Sequence, residues 1–344
     1  MYSKSMRIHS QTPLRISLAG GGTDVPPYST EFGSKIVNFT ADLYVTGVLY
    51  QLKKIQRFKK RKINVKINDI SSTGQDDFIF DLEKVLNSKY GNLVRGSIQI
   101  QLYSPVMPGS GLGASSALIV TSLSMINKYL NINMESKILA VLAYKVEREF
   151  MKIPGGFQDQ LSAVFGGLKL YEKSKGESLD SLRISKVTTT QEFLRELEES
   201  IVLIDLRLPR TNNNIITDQQ SNIAGRKYNA LESTHTQMDL AILMNNALSE
   251  GKIDLVGKII NSAWESKKKF SDLISNAFIE DVISKISIRS VYGVKLLGAG
   301  GGGYLLIVYK SNEKEEVFSQ INELGLKAVK IRIVSKGCET WVGE

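Results

Sequence analysis

The chain has 344 residues, 42% of them hydrophobic and 23% charged, with a formal net charge of +9. These are the proportions of a globular protein with enough chain for two ordinary domains. A single cysteine, Cys338, excludes a disulfide framework and fits a reducing, cytoplasmic setting. Met1 to Ser10 is polar and reads as no signal peptide, and no run approaches the ~20 apolar residues that cross a bilayer.

Early segments alternate with the period of half-buried strands. "RISLAG" ends in a glycine cluster, "IVNFTADLYVTGVLY" is rich in β-branched and aromatic residues, and Lys53–Lys62 is a basic run that reads as a solvated loop. "INVKI" sets Ile63, Val65 and Ile67 on one face, and "SIQIQLYS" does the same with Ile98, Ile100 and Leu102. After Gly113 the helical period takes over, in "ASSALIVTSLSMINKYL" and then "MESKILAVLAYKVEREFM". "PGGFQDQLSAVFGGLKLYE" reads as a turn, a short helix and a strand. The polar stretch 172–200 carries the domain seam, which we place at 190/191, so that the domains are 1–190 and 191–344. Beyond it come strand "IVLIDL", helical stretches over 214–250, 253–270 and 272–287, strand "YGVKLLG", loop "AGGGG", strand "YLLIVY", a helix over 313–324 and strand "KAVKIRIVS". A helix crossing between antiparallel strands suggests a split βαβ, ferredoxin-like second domain in an α+β protein. No internal repeat or low-complexity segment is present.

Three glycine clusters end strand-like runs: "AGGGTD" at 19–24, "PGSGLGASSA" at 108–117 and "GAGGGG" at 298–303. The middle one opens a helix. A helix N-terminus carries unpaired N–H groups and a partial positive charge, and glycines let those groups approach an anion closely, so this is a phosphate cradle. It is not a Walker loop, which ends in Lys followed by Ser or Thr where this chain has Ala114-Ser115. It matches a dinucleotide-binding fingerprint only loosely, since Pro105 and Pro108 break the strand before it and no βαβ unit opens the chain. Two distant histidines, His9 and His235, give little material for histidine acid–base chemistry or a His-rich metal site.

"TPLRISLAGGGTD", "PVMPGSGLGASSA" and "KLLGAGGGGYL" resemble, in order and spacing, the three signature motifs of the GHMP kinases. The resemblance spans nearly the whole chain. It implies a two-domain α+β fold, with an N-terminal domain like domain 2 of ribosomal protein S5 and a ferredoxin-like C-terminal domain. It also implies ATP and Mg²⁺ as cofactors. ATP phosphates would lie against Pro108, Gly109, Ser110, Gly111, Leu112, Gly113, Ala114, Ser115 and Ser116. Ser116 and Glu147 would hold Mg²⁺. Asp159, in "GGFQDQL", is similar to the aspartate proposed as catalytic base in mevalonate kinase and galactokinase, and Arg15 is similar to the basic residue of the first motif. The acceptor would meet Thr23, Asp24, Gly156, Gly300 and Gly301. "PLRISLAGGGTDVPPY" and "FQDQLSAVFGG" further resemble the D-glycero-D-manno-heptose 7-phosphate kinases of that family, which act on the anomeric hydroxyl. An acceptor that already bears phosphate needs a second anion site, for which Arg210 in "LRLPRTNNN" is the candidate. An L-fucose-type sugar 1-kinase is the nearest alternative. The S5-like domain and the charge also fit an RNA-binding module, but the basic run holds only Phe58 as an aromatic and the glycine motifs would go unexplained. The expected partner is therefore a small sugar phosphate, with no nucleic acid and no membrane, in an enzyme able to form a homodimer.

Overall fold

A computed structural model describes residues 7–52, 62–67, 75–208, 214–286 and 289–343. The first part of the chain runs β1 (Arg7–Ala19), α1 (Tyr28–Glu31), β2 (Ser34–Gln51), β3 (Ile63–Ile67), α2 (Gln75–Tyr90), β4 (Ile98–Tyr103), α3 (Ala114–Tyr129), α4 (Ser136–Lys145), α5 (Gln158–Phe165), β5 (Lys169–Lys173) and β6 (Arg183–Lys186). It continues with α6 (Gln191–Glu199), β7 (Ile201–Asp205), α7 (Ile215–Ala224), α8 (Tyr228–Ser249), α9 (Ile253–Lys268), α10 (Ala277–Lys285), β8 (Val291–Leu296), β9 (Tyr304–Tyr309), α11 (Lys314–Glu323), β10 (Lys327–Val329), β11 (Ile333–Val334) and β12 (Glu339–Gly343).

The large sheet is built on the β1–β2 hairpin, extended by β12 on one side and by β4 and β3 on the other, with β5, β6 and β11 also joined through β2. Ile63 pairs with Ile98 and Val65 with Ile100 in the parallel β3–β4 ladder, and all four are buried, as their alternation requires. The β1–β2 register slips between Pro13 and Leu14 and again between Ser17 and Ala19. Such irregularities re-aim side chains beside functional sites, and these two bracket Arg15 and Ser17. Helix α3 crosses the sheet and is buried along most of its length. It comes this close because position 47 is glycine: a Cβ there would stand 2.6 Å from Met125 Cε and 2.8 Å from Thr121 Cγ2.

The second sheet has the order β10-β7-β9-β8, antiparallel throughout. Counted along the chain its strands lie fourth, first, third, second, with helices crossing between them, which is the ferredoxin-like arrangement. Alternate residues serve two cores. Ile201, Leu203, Leu306 and Val308 join the core of the large sheet together with Leu240, Met244 and Ile260. Val202, Ile204, Leu305 and Ile307 join a second core with Val282, Val317 and Ile321. Burial on both faces explains why "IVLID" and "YLLIVY" read as unbroken apolar runs.

Several elements differ from the sequence reading. The stretch 214–250 breaks after Ala224, and the helix expected over 272–287 starts only at Ala277, capped by the Asn276 side chain accepting from Ile279 N. The strand expected over 327–335 is two strands in different sheets. Helix α2 and strand β12 were not anticipated. A division at 190/191 groups everything after it together, yet β11 and β12 return to the large sheet, where β12 covers the edge of β1 from Arg7 to Gln11. An uncovered edge of that length would invite pairing with another chain. Most of the basic run, residues 53–61, lies outside the described residues.

Candidate active site

The three glycine clusters converge. With the loop before α5 they enclose a cavity of about 400 Å³. The second and third clusters lie back to back: a Cβ at Gly111 would stand 2.5 Å from the Leu297 carbonyl oxygen, and one at Gly303 would collide with the carbonyl of Ser110. Only glycine lets the two loops pack at this distance. Gly298 and Ala299 reach the cavity. Gly300 and Gly301, expected at the acceptor, do not line it. Gly301 N donates to Ile274 O at 2.8 Å and Gly300 packs on the Ile274 backbone, so both tie the third loop to the segment before α10.

The second cluster delivers the mouth of α3. Gly113 takes a left-handed conformation (φ +77°) as N-cap, and Pro108, Gly109, Ser110, Gly111, Gly113, Ala114 and Ser115 face the cavity. The helix begins there with no side-chain cap, leaving its first N–H groups to a ligand. Two of the expected phosphate contacts face inward instead. Leu112 is fully buried and its carbonyl accepts from Arg15 N at 3.1 Å; Ser116 is fully buried beneath the turn.

Beside the cradle, Arg15 Nε donates to Asp159 Oδ1 at 2.7 Å, and Arg15 also donates to the Gly111 carbonyl. The first turn of α5 thus presents Asp159 to the helix mouth, with Arg15 joining the first and second motifs. Glu147 is wholly buried within a π-turn, Val146–Phe150, that follows α4. It accepts from Ser115 Oγ at 2.6 Å, from Ser116 Oγ at 2.5 Å and from Gln160 Nε2 at 2.5 Å. Inserted turns of this kind recur at functional sites. A signal for it was present: Leu139, Ala143 and Val146 trace an apolar stripe, and Glu147 sits four residues after Ala143 on that inward face.

Asp24 is also buried, accepting from Gln158 N at 3.1 Å, Gln158 Nε2 at 3.2 Å and Gly22 N at 3.3 Å. Burial raises its pKa, opposed by the Gln158 N–H, and nearby Asp159 adds to the rise. Gly156 must be glycine, since a Cβ there would run into the Asp24 carboxylate. Arg148 fixes this loop by donating to Gly156 O at 3.0 Å and Ile153 O at 3.2 Å. Thr23, expected at the acceptor, does not line the cavity. Its hydroxyl donates to Gly20 O at 2.7 Å and meets Ser34 Oγ at 2.9 Å inside the turn. Arg210 lies outside the described residues.

Sequence reasoning missed two lysines of the cavity wall. Lys267 donates to the carbonyls of Leu296 and Gly298, and Lys295 to those of Ser17 and Leu18.

The arrangement brings a phosphate cradle, an ion-paired carboxylate and a second, hydroxyl-fed carboxylate into one cavity, which suits phosphoryl transfer. A family model described as the GHMP kinases N terminal domain matches residues 77–167, and one described as GHMP kinases C terminal matches residues 244–326. The chain belongs to the GHMP kinase family. It is therefore a phosphotransferase, of a family that uses ATP as phosphoryl donor. This GHMP kinase is 29% identical, over 97% of its own length and 98% of the relative's, to a D-glycero-alpha-D-manno-heptose 7-phosphate kinase of Campylobacter jejuni. An L-fucokinase/L-fucose-1-P guanylyltransferase of Bacteroides fragilis is 27% identical over 88% of this chain but only 34% of its own. Among solved structures, a D-glycero-D-manno-heptose 1-phosphate kinase from Bacteroides thetaiotaomicron superposes with a TM-score of 0.77 at 26% identity, over 97% of this chain and 98% of that one.

Proposed function

We propose that this GHMP kinase transfers the γ-phosphoryl group of ATP to the anomeric C1 hydroxyl of D-glycero-D-manno-heptose 7-phosphate, giving the 1,7-bisphosphate. That product would lead, in the cytoplasm, toward nucleotide-activated heptose for surface polysaccharide. The observation that carries the transfer is that Asp159 sits against the mouth of α3 on the wall of one cavity, with Arg15 bonded to both Asp159 and the Gly111 carbonyl. Near-end-to-end likeness to the Campylobacter enzyme supports the acceptor.

The N–H groups of the 108–115 loop would hold the phosphates against the helix terminus. Asp159 keeps Oδ1 on Arg15, which leaves Oδ2 to accept the proton of the attacking hydroxyl. Arg15, always charged, orients that carboxylate and offsets charge on the transferring group. The residues present fit Mg²⁺. Glu147 and Ser115 both line the cavity, and a hydroxyl that donates to a carboxylate keeps lone pairs for a hard cation. Ser116, behind them, would hold Glu147 in place. When bound with ATP, Mg²⁺ supplies neutralisation of phosphate charge. Asp24, Gln158 and Gly156 would border the sugar, and Arg210 remains the candidate for its phosphate. A fucose-type acceptor is the second reading, favoured by the Bacteroides fragilis relative.

A panel of heptose 7-phosphate, mannose 6-phosphate, fucose and galactose with Mg-ATP tests the reading through ADP release. The heptose phosphate should react far faster than the rest. Equal rates on the unphosphorylated sugars would remove the second anion site from the account.

A further inference from the structure

Lys295 sits near the end of β8, just before the third glycine loop, and reaches across the seam between the two sheets. Its Nζ donates to the main-chain carbonyls of Ser17 at 3.2 Å and Leu18 at 3.0 Å in β1. The residue is 2% exposed and lines the cavity. A lysine ammonium has three N–H donors. Two are used, and the third has no acceptor among the described residues.

The carbonyls orient the group without balancing its charge. The other charged side chains of the cavity are Arg15 from β1, Asp24 from the first loop, Glu147 and Arg148 from the π-turn, Asp159 from α5 and Lys267 from α9. Each carboxylate is already engaged: Asp159 by Arg15, Glu147 by two serines, Gln160 and Arg148, and Asp24 by Gln158 and Gly22. A buried ammonium with no counter-charge is among the costliest groups a fold can hold. Burial, with Arg15 as a like charge beside it, lowers the Lys295 pKa to about 7.

We infer that Lys295 is a phosphate-contacting residue, whose third N–H and positive charge meet a phosphoryl oxygen of the bound substrates alongside Arg15. The inference rests on the cavity being a phosphotransfer site, not on the identity of the sugar. A hydroxyl would satisfy the free N–H and leave the charge unbalanced, whereas a phosphoryl oxygen answers both. The phosphoryl oxygen belongs either to the nucleotide or to the acceptor's own phosphate. In both cases an amine largely neutral above pH 7 must take up a proton as the anion arrives, so anion binding weakens as pH rises.

The test titrates wild-type enzyme and Lys295→Met with tripolyphosphate at pH 6.5, 7.5 and 8.5. At pH 6.5 the variant should bind ~10-fold or more weakly, the effect of losing one charged contact. Above pH 7 the wild-type Kd should rise toward ~10-fold per pH unit relative to the variant, as one proton requires. Parallel titrations with AMP-PNP and with mannose 6-phosphate identify the source: loss confined to one assigns Lys295 to that phosphate. Affinities for all three anions within about twofold of wild type, with the same pH dependence, would overturn the inference. If Lys295→Met does not fold, Lys295→Arg should bind tripolyphosphate without the wild-type pH dependence, since arginine stays charged. Wild-type proton uptake near zero at pH 8, read by calorimetry in buffers of different ionisation enthalpy, would overturn it without any variant. Tripolyphosphate keeps this outcome separate from the acceptor: failure to phosphorylate any sugar would reject the heptose reading and leave the Lys295 result intact.

Discussion

Replacing Asp159 by Asn tests whether its carboxylate acts as a base or only as the partner of Arg15. The substitution keeps the shape and removes the charge. If the carboxylate accepts the hydroxyl proton, kcat falls ~10²–10⁴-fold, the usual range for general-base help, or ~3–5 kcal/mol at ~1.4 per decade. The ion pair adds a second effect. Arg15 and Asp159 are only 6% and 18% exposed at 2.7 Å, so an amide in place of the carboxylate would strand a buried guanidinium. Breaking one side of such a pair costs ~3–5 kcal/mol, here toward the lower figure because Asp159 is partly solvated. Asp159→Asn should therefore lower both kcat and melting temperature. Arg15→Met combined with Asp159→Asn separates the two effects, because removing both charges restores much of the stability. The assay is single-turnover phosphoryl transfer on folded protein for the two single variants and the double one, each checked by thermal melt. A base leaves the double variant well below Arg15→Met alone. Equal rates in those two, or a loss below about tenfold in folded Asp159→Asn, would refute the base assignment.

Glu147→Gln should raise the Mg²⁺ concentration needed for half-maximal rate at fixed ATP and lower kcat; an unchanged Mg²⁺ titration would reject Glu147 as a metal-side group. Gly156→Ala should destabilise the protein by ~1–3 kcal/mol, as overpacking does, and raise KM for the sugar more than for ATP, because its methyl meets the Asp24 carboxylate. Arg210→Ala should raise KM for the sugar phosphate several-fold and leave KM for ATP nearly unchanged, measured by varying each substrate in turn. The Lys295 pKa, about 7 when folded against ~10.4 unfolded, makes the unfolded chain bind more protons from pH 7 upward. Its contribution to stability therefore increases with pH there. The free protein's melting temperature should gain from this between pH 7 and 9, and Lys295→Met should remove that gain; identical slopes in a pH series of melts would contradict it.

What the sequence made legible was what repeats locally. Alternation placed Ile63, Val65, Ile98 and Ile100 on buried faces, and glycine density located the loops that meet at the cavity. It did not tell which glycines face a ligand and which face backbone. Gly298 and Gly300 are equivalent in a motif, but only the tertiary position of Ile274 sends Gly300 away from the site. Thr23 adjoins Asp24 in the same motif, yet its hydroxyl closes the turn on Gly20. Lys295 was invisible because a lysine in a strand pattern reads as solvent-facing; its burial depends on β1 carbonyls 277 and 278 positions away. The return of β12 to the edge of β1 is likewise long-range, set by an edge that needed covering and not by any local preference of "ETWVG".

The most direct test of the account is the position of the transferred phosphate. D-glycero-D-manno-heptose 7-phosphate is incubated with the enzyme and Mg-ATP, and the product is followed by phosphorus NMR with coupling to the sugar protons. The account requires a second phosphorus signal coupled to the anomeric proton, with the original C7 phosphate intact. Phosphate appearing at any other carbon, or transfer to unphosphorylated sugars while heptose 7-phosphate stays unchanged, would contradict it.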